Sequence, residues 1–431
     1  MKTILQLGAL VIVLVVAGCA AQDEAAPGAE TIPGVHPWAL PAAAGAGQPD
    51  LVTAPDGRLL LSWLDTKPGR RTRLQYADYS IAGRWTGPKT VAVGSSFFVN
   101  WADTPHLIAL PSGALWMQWL QKSAQEGLAY DVVLSSSRND GMNWSEPFRP
   151  HSDRSATEHG FATLWAQGSD RLGLAWLDGR NMATAGASGA GHAAHGSGAM
   201  TLRSAVIDAG PRLQGGEIEI DSKVCDCCQT AAAMTRRGPL LVYRGRDDNE
   251  IRDILTTRFD GRAWSAPKPV FADRWVMPAC PVNGPDVAAH GDIAVVGWFS
   301  AAGGQPTVKL ARSDDAGDRF AAPVIVDQGA PVQGRVAVAL DEAAVWVLWL
   351  REEGHGQTLM LARYAPDLSR QLERITVAKL QGRGRGTGFA QLALRAGKGH
   401  VVWTDLVEGT SALNGALVVP ESGASAQSEA R

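Results

Sequence analysis

The sequence predicts an all-β protein, a β-propeller of four-stranded antiparallel blades, seven in number. Two observations carry that prediction. A short apolar strand ending in an aromatic recurs seven times, at Trp63, Trp119, Trp176, Tyr243, Trp298, Trp349 and Trp403, with spacings of 56, 57, 67, 55, 51 and 54 residues. The 48 Gly and 15 Trp, with no long helical periodicity, favour many short strands joined by tight turns. A β-solenoid would repeat at a much shorter period, and four strands at about fifty residues is what a propeller blade requires.

The N-terminus precedes the repeats and reads as an export signal. Lys2 supplies the positive start, Leu10 to Val16 form an apolar run too short for a permanent span, and Ala17-Gly18-Cys19 ends it with small residues. The run V-A-G-C resembles the lipobox of bacterial lipoproteins, which implies cleavage before Cys19 and a diacyl chain on it. With Ala20 in the next position, the resemblance further implies sorting to the outer membrane, facing the periplasm. Residues 20–45 are rich in Ala, Gly and Pro and read as a tether, 46–420 as the propeller, and 421–431 as a disordered tail. A segment near Val35 to Leu40 is a candidate for the outer strand of the last blade.

Each aromatic strand follows a small-residue strand and a tight turn, such as P-D-G-R at Asp56 or P-S-G-A at Ser112. Third strands follow at Arg73 to Tyr79, Asp131 to Ser137, Met200 to Ile207 and Asp253 to Phe259, then at Thr307 to Ser313, Leu359 to Tyr364 and Leu413 to Val419. Runs such as Ala231-Ala232-Ala233 suit the innermost strands, which crowd around the axis.

The turns after two third strands share a pattern. Ser313, Asp315, Gly317 and Phe320 fit S-x-D-x-G-x-x-[WF], and Ser137, Asn139, Gly141 and Trp144 fit it with Asn in the Asp place. Degenerate copies end in Trp85 and Trp264. Side-chain oxygens there satisfy turn N–H groups and glycine takes a positive φ, so these residues are structural. The pattern resembles the Asp box, or bacterial neuraminidase repeat, of the sialidase superfamily. Together with C-D-C-C and C-P-V-N-G-P, the chain resembles a branch of bacterial sialidase-like lipoproteins. Known sialidases have six blades, so six is the alternative count.

Antiparallel order places the Asp boxes on one face, and the blade-to-blade links with the second-to-third-strand loops on the other. That second face collects the chemistry. C-D-C-C supplies Cys225, Cys227 and Cys228 at the entry to blade four, and Cys280 stands at the matching place before blade five. The spacing leaves disulfides and a metal–thiolate site both open. The 67-residue interval holds a Gly/Ala-rich loop with His192 and His195, which reads as a flexible insertion or as a soft-metal ligand pair; thiolate and imidazole together suit copper or zinc. Arg244, Arg246 and Arg252, with Arg335 and Arg385 from later blades and Asp178 and Asp103 from earlier ones, form a candidate pocket for an acidic ligand.

A sialidase holds its substrate carboxylate with three arginines and attacks with a Tyr activated by Glu, aided by an Asp acid. No Arg-Ile-Pro-like element is present, and none of the five Tyr falls where that nucleophile is expected, so catalytic residues remain unassigned. The net charge of −3 with scattered basic residues excludes a nucleic-acid partner. The first functional expectation is therefore a lipid-anchored module binding a metal ion or a small acidic ligand. A glycoside hydrolase acting on acidic sugars, or glycans carrying them, is second, and a protein-interaction scaffold third.

Overall fold

The computed structural model describes residues 32–125, 127–182, 198–210, 212–354 and 356–421. Seven antiparallel sheets follow one another along the chain. Blade one is Ala46–Thr53, Leu59–Asp65, Thr72–Tyr79 and Lys89–Gly94. Blade two is His106–Ala109, Leu115–Lys122 and Tyr130–Ser137, with the Leu134–Phe148 bridge marking its outer edge. Blade three is His159–Ala166, Leu172–Asp178, Thr201–Ile207 and Leu213–Asp221, and blade four Ala231–Thr235, Gly238–Arg244, Ile254–Arg258 and Lys268–Pro269. Blade five is Asp286–His290, Ile293–Ser300, Thr307–Ser313 and Val324–Gln328. Blade six is Val332–Leu340, Val345–Glu353, Gly356–Tyr364 and Gln371–Leu380.

The seventh blade closes the ring. Its inner strands Gln391–Arg395, Lys398–Val407 and Thr410–Val418 come from the C-terminal end, and its outer strand Val35–Pro37 from the N-terminal end, paired as Val35 with Val418 and Pro37 with Ala416. Trp38 then turns inward, stacks on Trp85 and packs edge-on to Tyr79 and His400. Seven blades are therefore correct rather than six. The propeller also starts earlier than residue 46, because the last part of the expected tether supplies this strand and plug.

The repeated aromatics all lie on second strands and all are buried. Seven apolar clusters occur among the described residues, one between each pair of neighbouring blades. No blade owns a core, since each sheet buries one face against the sheet before and the other against the sheet after. This is why the ring must close: an open end would leave a face such as that of Trp63, Leu61 and Ala77 in water.

Buried carboxylates staple the inner strands together around the axis. Asp50 accepts from Leu107 N at 2.8 Å, Asp103 from Phe161 N at 2.7 Å and Asp286 from Val338 N at 2.6 Å, each across a blade boundary. The Asp boxes have the geometry expected of them. Ser137 Oγ accepts from Gly141 N and Asn139 Oδ1 from Asn143 N. Ser313 Oγ and Asp315 Oδ1 repeat this with Gly317 N and Arg319 N. Trp144 packs edge-on to Tyr76, and Phe320 joins the cluster between blades four and five.

Candidate functional site

An axial cavity of about 380 Å³ runs between the inner strands, lined by Asp50, Asp103, His106, Thr230 and Asp286 among apolar residues. Burial raises the Asp103 carboxyl to about 7 and that of Asp286 to about 6, each partly offset by the backbone N–H it accepts. Asp103 thus serves as an interblade staple whose second oxygen, Oδ1, is buried without a partner among the described residues.

The four cysteines converge on the face opposite the Asp boxes. Cys225 N donates to the Arg244 carbonyl, fixing C-D-C-C against the second strand of blade four. Cys227 forms a disulfide with Cys280, at 6.0 Å between Cα atoms, tying the links that enter blades four and five. Cys225 and Cys228 are free, 1% and 2% exposed, with their sulfurs 3.2 Å apart. Cys225 Sγ lies 4.0 Å from Cys227 Sγ. The sulfurs thus divide into one disulfide and one free thiol pair with C-x-x-C spacing.

The arginines divide. Arg252 donates from Nη1 to Cys225 Sγ at 3.2 Å and from Nη2 to Glu250 at 2.9 Å. Arg246 holds Glu250 and Asp226. Burial alone raises a thiol. At Cys225 the hydrogen bond with Cys228 and the charges of Arg252 and Arg244 outweigh it and bring the thiol down to about 6. Cys228 moves the other way, raised by burial and by the charge on Cys225.

Arg244 is spent on the backbone. Its Nε and Nη2 donate to the Asn283 carbonyl at 3.0 and 2.8 Å, Nη1 to Arg252 O at 2.6 Å and Nη2 to Phe299 O at 2.7 Å. Arg335 is held likewise by Thr387 Oγ1, Gly388 O and Gly384 O while lying over the Trp101 ring, and burial lowers it to about 10. Arg385 is exposed beside the same ring. Arg335 and Arg385 therefore share the Trp101 ring, and among the five candidate arginines Arg385 is the exposed one. Asp178 is buried under a bidentate Arg180 and the Trp176 indole; these overcome burial and hold it near 2. His192 and His195 lie outside the described residues. The flanks of their loop do not: Met182 and Met200 pack in the cluster that contains Val224 and Cys227.

Two groupings escaped the sequence reading. Tyr130, at the start of a third strand, reaches Glu158 in the next link, Oη to Oε2 3.3 Å, with Asp103 packed on the same glycine, Gly160. A Tyr–Glu pair is thus present, contrary to the expectation drawn from strand positions. The two backbones run side by side there as a parallel bridge, which 28 residues of separation conceal. Burial raises Glu158 to about 7. The second grouping is His151, His159 and Asp131: a histidine of the link and the first residue of blade three's inner strand close on the third strand of blade two.

No protein-family model matches the chain, and no curated protein matches it. Solved structures of similar fold include a protein of unknown function from Dyadobacter fermentans DSM 18053 (TM-score 0.48, 13% identity, covering 90% of this chain and 100% of that one). The phage phi92 endosialidase gives 0.48 at 9% identity, covering 92% and 70% of the two chains. The Trypanosoma rangeli sialidase gives 0.45 at 11% identity, covering 79% and 56%. Likeness at this level carries nothing about activity, and the fold stands on the sheet topology.

Proposed function

We propose that the protein is an exported, lipid-anchored binding module, held to the outer membrane through Cys19, that takes a soft metal ion of the copper or zinc class at its sulfur site. One observation carries the reading: two buried thiols, Cys225 and Cys228, face each other beside a disulfide, with a guanidinium on one sulfur. A thiophilic ion replaces the proton between the two sulfurs, and Arg252 offsets the negative charge left on the pair. His192 and His195 are proposed as a further ligand source because imidazole and thiolate together suit copper or zinc.

The test uses Cys19→Ser protein, which is expected to leave the membrane fraction. It should carry near-stoichiometric copper or zinc, lost in Cys225→Ser and Cys228→Ser. Two thiols should become titratable only after chelation, and four only after reduction as well. Thiols that react freely in the protein as purified, before any chelation and with no metal bound, refute the proposal.

A second reading rests on Tyr130, Glu158 and Asp103, whose types match the nucleophile, base and acid of a glycosidase for acidic sugars. Two facts weigh against it. Tyr130 is 2% exposed, and Arg244 and Arg335 are buried with most of their donors held by carbonyls and the Thr387 hydroxyl. Turnover of a fluorogenic sialoside is expected to be absent; hydrolysis abolished by Tyr130→Phe reverses the ranking.

A further inference from the structure

A second cluster lies apart from the sulfurs, between blades two and three. His151 comes from the link joining these blades and His159 opens the inner strand of blade three, and their rings stack 4.1 Å apart, 6° from parallel. Both are buried, as is Asp131. His159 Nδ1 lies 3.3 Å and His151 Nε2 3.6 Å from the same oxygen, Asp131 Oδ1. None of these three atoms has a hydrogen-bond partner among the described residues.

The outer nitrogens show where the ring hydrogens go. His151 Nδ1 is 3.1 Å from the Asp153 carbonyl, which only accepts, so that nitrogen carries the hydrogen and Nε2 presents a lone pair inward. His159 Nε2 lies 3.0 Å from Asp153 Oδ2 and 3.7 Å from Asp178 Oδ1, in neither case with hydrogen-bond geometry. With its ring hydrogen on Nε2, toward the nearer carboxylate, a neutral His159 also turns its lone pair, on Nδ1, toward Asp131. Three acceptor atoms then converge with nothing positive between them, which is repulsive in a buried site.

The charges around the cluster point the same way. Asp131, Asp153, Asp178 and Glu217 supply four carboxylates, and the guanidiniums paired with them are Arg149 on Asp131 and Arg180 on Asp178 and Glu217. The third guanidinium, Arg154, is exposed and reaches only the carbonyls of His151 and Asp153. Even with Arg154 included, the group is negative while both imidazoles are neutral.

We infer that His151 Nε2, His159 Nδ1 and Asp131 form a binding site for one divalent transition ion of the zinc class, with Asp153 orienting both imidazoles from outside. Two nitrogens and one carboxylate oxygen are a ligand set such ions accept, leaving coordination open for water or a bound anion. Hydrogen bonding of a ligand imidazole's outer nitrogen to a carboxylate or carbonyl is the usual support of such sites. Because the rings are nearly parallel, one of them turns about its Cβ–Cγ bond when the ion enters. The competing occupant is a proton on His159. It relieves one of the two contacts with Asp131 and leaves His151 Nε2, 3.6 Å from that oxygen, unsatisfied.

The experiment removes the sulfur site first, so that the two metal readings fail separately. Full-length Cys225→Ser/Cys228→Ser protein is stripped with chelator and titrated with Co(II) and Zn(II). The expected result is one equivalent bound, a cobalt spectrum of nitrogen and oxygen ligands without thiolate charge-transfer bands, and imidazole hyperfine coupling. His151→Gln and Asp131→Asn should abolish binding, and Asp153→Asn should weaken it about 10–100-fold. If those variants do not fold, the spectrum of the parent decides alone. A parent that binds no metal at micromolar concentration overturns the assignment. So does binding with no imidazole signature, or binding unchanged in folded His151→Gln.

Discussion

Arg244 offers the sharpest test of how this funnel is built, because it stood among the candidate ligand-binding residues and the structure spends it on carbonyls. Consider Arg244→Met, which keeps much of the volume and removes every donor. Three carbonyls, those of Asn283, Arg252 and Phe299, lose four hydrogen bonds of 2.6–3.0 Å. An orphaned buried acceptor costs about 1–3 kcal/mol, so three cost about 3–9 kcal/mol. Relief from burying a cation offsets part of that, and removal of one side of a buried charged network usually costs about 3–5 kcal/mol. We expect a loss of about 4 kcal/mol in urea unfolding, a large share of the 5–15 kcal/mol typical of a folded domain. Arg244→Lys separates charge from shape: an ammonium cannot span three carbonyls in a planar fork, so it should recover less than half of the loss. Arg385→Ala, exposed and outside any such network, should stay within about 0.5 kcal/mol of wild type. An Arg244→Met protein within about 1 kcal/mol of wild type refutes the assignment of Arg244 as a clamp and returns it to the ligand pocket.

Three further outcomes follow from other parts of the ring. Gly317→Ala should cost about 2–4 kcal/mol by thermal unfolding, because φ is +85° and the new Cβ meets Leu240 Cδ1 at 2.4 Å; Gly57→Ala, at φ +82° in open space, should cost only about 1 kcal/mol. Replacing Cys227 and Cys280 together by Ala opens a loop spanning 53 residues and should cost up to about 4 kcal/mol in metal-free protein, and a variant as stable as wild type contradicts that bridge. In metal-free protein the first proton of the Cys225–Cys228 pair should leave near pH 6, below the usual 9.0. Since the folded value is depressed, the thiolate's contribution to stability is complete above about pH 9 and fades as pH falls through 6. Arg252→Met should raise the midpoint of the thiolate absorbance by about 1–3 units, and a midpoint unmoved by it removes Arg252 from the account.

What the sequence revealed and what it hid separate along a physical line. The blade count was legible because each second strand must bury a large aromatic against its neighbour, and that need repeats with the blade. The Asp boxes were legible because their hydrogen bonds close within five residues, from Ser313 to Gly317. The sulfurs were legible because Cys225 and Cys280 occupy equivalent links, and equivalent links of adjacent blades are neighbours. The closing strand was only half legible: Val35–Pro37 is three residues long and ends in proline, too short to show a period, so the tether was drawn through it.

What stayed hidden depends on which group of a distant link faces inward. Whether an arginine meets a ligand or a carbonyl is settled, for Arg244, by the backbone oxygen of Asn283, 39 residues away; the Asn283 side chain receives Arg335 N in turn. Composition sees the guanidinium and not the carbonyl. The same blindness concealed Tyr130 beside Glu158, and His151 stacked on His159 over Asp131. One weak signal existed for the last: two histidines eight residues apart, in a blade-to-blade link and at the start of the strand it enters, where the fold turns every link toward the same face. In a ring without a central core, polar groups on such links have few places to go except one another. Charged residues repeated in them are thus first to be suspected as interblade staples. Those left with unmatched lone pairs, as at Asp131 and His151, are the ones to test for a ligand.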